Sequence, residues 1–538
     1  MQAGDANGLL RAGANATMTR TLVIQLGRLG DIIQTTPLLA DLAAGGDEVE
    51  VLVLRSTHEP LLESSAVSHI ITIRDSLKSL DDAIACGFPN GKIPVEAHEL
   101  LADLELPGYD RIINASHAPL GCWLAGEIAV TNSDARYGGI IRDCECLYLG
   151  YASVYRIALL QFREQNLFNV VDLLRGAHGA AAPVGRPCLY ASRSADLPFA
   201  LPHGRRVALN PGATDAVRRW PAENFARLAE ALYGAGFAPI LVGAFSDHEL
   251  GEQIRSICRV PISNFAGRTT VPEMAALLAR CDLLVSGDTG AAHLAAATGA
   301  TVLGIYGATA WFAETAPYGD NHLILQAPFN GAMATVSMDA VLAAAMNRLG
   351  RFSATELRRE LHKQNQSAWE TSVQSPSRTS DPLGGLTYRP LHRDAFTPDE
   401  VFARSLRGAF AAEFVASDSG EGTTKSRCTA MQRNEDAVVE VFTCMREVAS
   451  LCAESAGRRA ASAQVATAAS ALMTTMGKLR ARAAEPEWRR LSSVIHNLDW
   501  GLRMLPEQGA EMTFRAHAEA YEAAARILRG AGSHRVGF

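Results

Sequence analysis

From residue 20 to about residue 345, short apolar runs alternate with stretches of helical period. The runs VALN (207–210), APILV (238–242), LLV (283–285) and TVLGIY (301–306) have the length and branched content of buried strands. Between them NFARLAEALYGAG (224–236), VPEMAALLARC (271–281) and AAHLAAATG (291–299) place apolar residues at helical spacing. Strands that alternate with helices predict a parallel sheet with right-handed crossovers. Ligands of such sheets bind beyond the carboxyl ends of the strands. Here those ends are glycine-rich or acidic: Pro211-Gly212, then Gly243, Ala244 and Asp247, then Asp288-Thr289-Gly290, then Gly307 and Thr309. No GxGxxG and no GxxxxGK[ST] occurs at these turns, which supports neither a Rossmann dehydrogenase nor a P-loop enzyme.

The segment LLVSGDTGAAHLAAATG (283–299) is the most informative. An apolar strand stops at a small polar turn and restarts as an alanine-rich helix. Asp288, Thr289 and Gly290 therefore sit where backbone N–H groups lack partners, and the positive end of the helix dipole favours a phosphate there. His293 lies on the first turn, close enough to face the same ligand. The simpler alternative is that Asp288 only N-caps the helix.

The chain opens on a matching unit, TLVIQLGRLGDIIQTTPLLADLAA (21–44), with Gly27, Gly30 and Asp31 at the turn. Asp31 followed by Gln34 fits a variant capping box, and Pro37 is expected to restart the helix rather than ride inside it. A carboxylate at such a turn, facing a second domain with its own nucleotide site, is a candidate general base.

LGRLGDIIQTTPLL near the start, NPGATDAVRRWPAENFARLAEAL (210–232), LVGAFSDHE (241–249), the block 265–309 and APYG (316–319) together resemble glycosyltransferase family 9, the ADP-heptose:lipopolysaccharide heptosyltransferases. NLFNVVDLL (166–174) also fits, and the resemblance runs from about 20 to 350. It implies an α/β GT-B fold with two facing Rossmann-like domains: an acceptor-side domain at 20–195 and a nucleotide-sugar domain at 196–350. It also implies inverting sugar transfer without a cofactor or tightly bound metal. By position, Asp31 would be the general base. Asp288, Thr289, Gly290 and His293 would hold the donor's diphosphate and sugar, with Gly212 beside them and Asp247 toward the nucleoside. The family usually has Lys at the first basic position of K-x-W-P, whereas this chain reads Arg218-Arg219-Trp220-Pro221. Arg218 keeps the charge and could grip a diphosphate with two parallel bonds, at a different reach and geometry. The implied partners are a nucleotide-sugar donor such as ADP-heptose and a lipopolysaccharide or related glycan acceptor.

The chemistry can be reasoned independently. Expelling a nucleoside diphosphate builds negative charge on the leaving phosphate, which a cation and a helix N-terminus stabilise. The attacking hydroxyl needs a carboxylate to take its proton. Glu223 and Glu273 read as first-turn helix acids rather than catalysts.

A length of 538 residues suggests two or three domains, and 48% hydrophobic residues suffice for buried cores. A net charge of −7 argues against broad binding to nucleic acid. With no apolar run of membrane-spanning length and no apolar signal core, the expected location is cytoplasmic, with peripheral association at the inner membrane as an alternative. Residues 1–19 read as a disordered extension and translation is expected to start at Met18. Cys144-x-Cys146 is too sparse for zinc, and Cys258 and Cys281 read as buried thiols.

Beyond 350 the resemblance ends. Residues 351–426, including QSPSRTSDPLGG (374–385), read as linker. Residues 427–538 carry four helical stripes, such as Val438, Val441, Met445, Val448 and Cys452, and suggest a small bundle. Two further functions remain open at this stage. One is a GT-B-shaped nucleotide-sugar binder or scaffold with little turnover. The weaker one is a nucleotide-sugar epimerase, which shares the architecture but not these blocks.

Overall fold

The computed structural model describes residues 18–55, 66–74, 106–116, 118–132, 135–142, 146–149, 168–176, 195–307, 309–328, 330–364, 372–378 and 385–390, with single residues at 99, 104 and 166. The N-terminal extension at 1–17 and the helical bundle expected at 427–538 lie outside the described residues.

The first domain contains β1 (Arg20–Gln25), α1 (Leu29–Ala44), β2 (Glu48–Arg55), β3 (His69–Arg74), β4 (Arg111–Asn114), α2 (Pro119–Thr131), β5 (Arg136–Arg142), β6 (Cys146–Leu149) and α3 (Val170–Gly176). Its sheet order is β3-β2-β1-β4-β5-β6. All pairs are parallel except β5–β6, and Val23 lies opposite Val51 on one side and Ile113 on the other. Side chains alternate between faces as the pleat requires. Leu22 and Ile24 join the cluster around Trp123 and Leu124, while Val23 joins Ile32, Leu38 and Leu39 of α1.

The second domain contains β7 (Arg206–Asn210), α4 (Ala222–Gly234), β8 (Ala238–Leu241), α5 (His248–Ile257), β9 (Ser263–Asn264), α6 (Val271–Leu278), β10 (Leu283–Ser286), α7 (Gly290–Thr298), β11 (Val302–Tyr306), α8 (Phe312–Thr315), β12 (Leu323–Gln326), α9 (Met338–Arg348), α10 (Ala354–Gln364), β13 (Ser372–Arg378) and β14 (Leu386–Pro390). Its sheet order is β14-β13-β12-β11-β10-β7-β8-β9. The six strands β7 to β12 pair in the expected parallel pattern, after which β13 and β14 add antiparallel. Val207 and Leu209 face Phe225 and Val341, while Ala208 and Leu284 face Leu294 and Ala295.

The result is two facing Rossmann-like domains, the GT-B arrangement. They meet through α1 and α7. Ile33 of α1 is buried inside the second domain's cluster, and Leu29 packs against it. A second seam is made by α3: Asn169 donates to the Ala316 carbonyl at 2.9 Å, and the Tyr318 hydroxyl donates to Asp172 at 2.7 Å. Arg175, fully buried, pairs with Asp41 of α1.

Two sequence expectations are corrected here. Pro37 lies inside α1 without ending it. A proline there cannot donate to the Ile33 carbonyl, and the buried Thr36 hydroxyl does so in its place at 2.8 Å. The span 351–426 is not all linker, because α10 and the pair β13–β14 lie within it. The polar, proline-containing composition of β13 favours a loop. It is a strand because β12 and β14 satisfy its backbone from both sides.

Candidate active site

In each sheet the strand order reverses beside the first strand of the domain, at β1 between β2 and β4 and at β7 between β10 and β8. A crevice opens at such a switch point, and the two crevices face each other.

On the second domain, β7 and β10 end side by side. Asn210, at the end of β7, donates to the Ser286 hydroxyl at 3.2 Å and to the Thr289 hydroxyl at 3.0 Å. Thr289 has extended backbone angles and accepts the Ala292 N–H at 3.4 Å, so it is the N-cap of α7. The simpler alternative for Asp288, that it caps this helix, is therefore corrected. Once Thr289 caps, the Asp288 carboxylate is free to turn sideways. It pairs with the Arg218 guanidinium, and His293 Nε2 stands 3.8 Å away. Arg218 Nη2 also donates to the Asp288 carbonyl at 3.1 Å. Burial would raise the Asp288 carboxyl, but the nearby His293 ring and the Arg218 charge outweigh it and hold it below the ordinary carboxylate range.

Arg218 is delivered by the 3-10 turn Ala216–Arg218, which Asp215 caps through the Val217 N–H at 3.1 Å. The adjacent Arg219 turns the other way and donates twice to the Ala213 carbonyl, at 3.1 and 2.9 Å. Trp220 anchors the segment, its indole N–H on the Val336 carbonyl at 2.8 Å. One of the two arginines thus faces the site and the other staples its own loop. Arg218 Nε is buried and makes no hydrogen bond. An unsatisfied buried donor costs on the order of 1–3 kcal/mol, so this group is poised for an acceptor.

On the first domain, Asp31 is the third residue of α1 and not its cap. Its carboxylate accepts the Arg28 N–H at 2.8 Å. This corrects the Asp31–Gln34 capping box: Arg28 holds the cap position, and Gln34 lies a turn further along. Gly27 makes the fold-back feasible, since a Cβ there would lie 2.6 Å from Asp31 Oδ2. Asp31 stays partly exposed.

The two halves touch at their helix starts. A Cβ on Gly30 would lie 2.9 Å from His293 Cδ2, and one on Gly290 would lie 3.4 Å from Leu29. Arg28 Nη1 reaches across to Thr214 at 3.2 Å. The N-termini of α1 and α7, both rich in unpaired N–H groups, therefore converge with Asp31 on one lip and Arg218, Asp288 and His293 on the other.

Asp247 and Gly212 form a separate pair. The Asp247 carboxylate accepts the Ala244 N–H at 2.9 Å and fills the space a Cβ on Gly212 would need, 2.2 Å from its Cγ. Glu273 accepts the Thr270 N–H at 2.7 Å as a helix-capping acid, as expected. Sequence reasoning passed over Asn210, Ser286, Thr315, Thr214 and Arg28. Asn210 and Ser286 sat in view at neighbouring strand ends and Thr315 lies in the same domain, while the Arg28–Thr214 pair becomes visible only when the domains are brought together.

Residues 188–345 match the family model described as glycosyltransferase family 9 (heptosyltransferase). Over 108 residues the chain is 35% identical to lipooligosaccharide heptosyltransferase 2 of Haemophilus influenzae, covering 19% of this chain and 31% of that protein. It is 23% identical over 297 residues to lipopolysaccharide heptosyltransferase 3 of Escherichia coli, covering 52% of this chain and 81% of that one. Among solved structures, E. coli heptosyltransferase WaaC with ADP superposes with a TM-score of 0.46 at 20% identity, over 61% of this chain and 100% of that one. The first of these alignments spans about a third of the relative's length. The fold is that of a two-domain α/β protein in which the starts of α1 and α7 meet. Its residues 188–345 are similar to the glycosyltransferase family 9 model.

Proposed function

We propose that the chain is a heptosyltransferase-type glycosyltransferase. It moves a sugar from a nucleoside diphosphate donor, ADP-heptose by the family's name, to a lipopolysaccharide core or related surface glycan in the cytoplasm. The carrying observation is the buried, unpartnered Nε of Arg218 at the start of α7, directly opposite the carboxylate-bearing start of α1.

The chain's own groups account for the steps. Arg218 and the N–H groups of α7 receive the diphosphate and stabilise the charge it gains as the sugar–oxygen bond breaks. Asp288 holds the guanidinium in place and keeps its own negative charge, since its carboxyl is pulled below the usual range. Asp31 takes the acceptor hydroxyl's proton as that oxygen attacks from the opposite lip. Attack from the face opposite the departing phosphate inverts the anomeric carbon. Gly212 and Asp247 shape the neighbouring strand end where a nucleoside would extend.

The test is direct. Purified protein should be stabilised by ADP by RT ln(1 + [L]/Kd), about 2.7 kcal/mol at a hundredfold excess over Kd. With ADP-heptose and a heptose-deficient lipopolysaccharide it should release ADP and give a product of inverted anomeric configuration by NMR. ADP binding without release under any acceptor would favour a binding protein instead.

A further inference from the structure

One further cation crosses the seam between Asp31 and Arg218. Arg28 is the N-cap of α1, yet its side chain makes no capping bond. Arginine suits that position poorly. It has no acceptor for the first N–H groups of the helix, and its charge adds to the positive end of the dipole. Its guanidinium reaches instead to the Thr214 hydroxyl of the second domain, at 3.2 Å. Thr214 precedes Asp215, which caps the 3-10 turn that delivers Arg218. The main chain of Arg28 meanwhile donates to the Asp31 carboxylate at 2.8 Å. The residue therefore stands between the carboxylate on one lip and the loop of the cation on the other.

The charges around the seam give Arg28 a task. Arg218 is paired with Asp288, which keeps its negative charge, and Arg219 is turned back onto the Ala213 carbonyl. Without Arg28, the Arg218 cation would face two carboxylates, Asp288 and Asp31, and an incoming diphosphate would meet little net attraction. Among the described residues, no carboxylate lies within ion-pair distance of the Arg28 guanidinium, and Thr214 is its one side-chain partner. The side chain is exposed, so it can exchange that neutral hydroxyl for a phosphate oxygen at small desolvation cost. A bond between two charged groups is roughly twice as strong as a neutral one.

We propose that Arg28 is a donor-binding residue supplied by the first domain: its guanidinium leaves Thr214 and takes the outer, sugar-bearing phosphate from the lip opposite Arg218. The donor then bridges the two domains, and the residue that grips it is the one whose N–H holds Asp31. The inference rests on the donor-site reading above.

The experiment measures ADP and AMP affinity by calorimetry on the full chain, with AMP as the probe that lacks the outer phosphate. Arg28→Ala should weaken ADP by about 5- to 50-fold, the range of a charge-assisted bond near the surface, and AMP by less than about threefold. Arg28→Lys keeps the charge without the fork and should recover part of the loss. Thr214→Val removes only the partner of the empty state and should hold ADP within about twofold of wild type. Should Arg28→Ala fold poorly, Arg28→Gln keeps the length without the charge and should show the same ADP-specific loss. Wild-type ADP affinity in Arg28→Ala or Arg28→Gln overturns the inference while leaving the donor site standing. So does a loss that AMP shares in full or that Thr214→Val reproduces, since either makes Arg28 a latch between domains. Failure of the wild-type protein to bind ADP overturns the donor-site reading and the inference together.

Discussion

The turns after β1 and β8 are built by one local device. A glycine closes each strand end, Gly27 or Gly243, and four residues later an aspartate, Asp31 or Asp247, folds its carboxylate back. Each carboxylate accepts the N–H of the residue after the glycine, Arg28 at 2.8 Å and Ala244 at 2.9 Å. Each glycine is needed for the same reason, since a Cβ would lie 2.6 Å from Asp31 Oδ2 and 2.9 Å from Asp247 Oδ2. Only the surroundings differ. Asp247 is pressed against Gly212 and is 9% exposed. Asp31 stays partly open, one residue from the Gly30–His293 contact that joins the domains. The same turn makes a rivet in one place and a group available to a ligand in the other. What the motif does is decided by what packs on it.

The largest expected effect separates the two aspartates outright. Asp31→Asn can still accept the Arg28 N–H, so the fold should keep its stability within about 1 kcal/mol. It loses the basicity that takes a proton, and single-turnover transfer should fall roughly 10²–10⁴-fold. Asp247→Asn, equally able to accept its N–H, should leave the transfer rate within about threefold. Equal losses in the two variants would erase the distinction.

Next in size is the cation opposite Asp31. Arg218→Ala removes both the charge and the unpartnered Nε donor, and donor affinity should drop by about 10- to 100-fold. Arg218→Lys restores the charge but not the fork, so recovery should be partial. Arg219→Ala, which loses only a loop staple, should bind donor nearly as wild type. Calorimetric titration with ADP reads all three.

A third comparison concerns the glycines. Gly212→Ala drives a Cβ to 2.2 Å from Asp247 Cγ at a buried site, and should cost about 1–3 kcal/mol in denaturant unfolding. Gly290→Ala, with a 3.4 Å approach to the end of Leu29, should cost less than Gly212→Ala. Similar costs would mean that the Asp247 pocket is soft.

The smallest effect is a pH dependence. The Asp288 carboxyl is held lower in the folded protein than in the unfolded chain. Its contribution to stability is therefore present above the unfolded value near 4 and is lost as pH falls through the folded value. Wild-type melting temperature should drop more steeply below about pH 4 than that of Asp288→Asn.

The alternating strands and helices of the second domain were legible because their periods are clean and their turns carry glycine. Less could be read where two adjacent residues had equal claims. Asp288 and Thr289 are both good caps, and the backbone angles of Thr289, φ −142° and ψ 162°, decide between them. Arg218 and Arg219 carry the same charge, and the 3-10 turn sends one inward and the other back to Ala213. Pro37 read as a restart because a hydroxyl substituting for a backbone donor leaves no trace in apolar periodicity. The strand β13 read as linker because its partners lie far away in sequence, and pairing of that kind overrides local propensity.

Ile33 belongs to the first domain by sequence and to the second by packing. Its burial there is worth roughly 1.5–3 kcal/mol. For protein engineering, a cut near residue 195 therefore severs a shared interior rather than a tether. A hybrid that grafts this first domain onto a relative's second domain would have to carry along a matching α1, or leave an Ile33-shaped hollow where the two halves should lock.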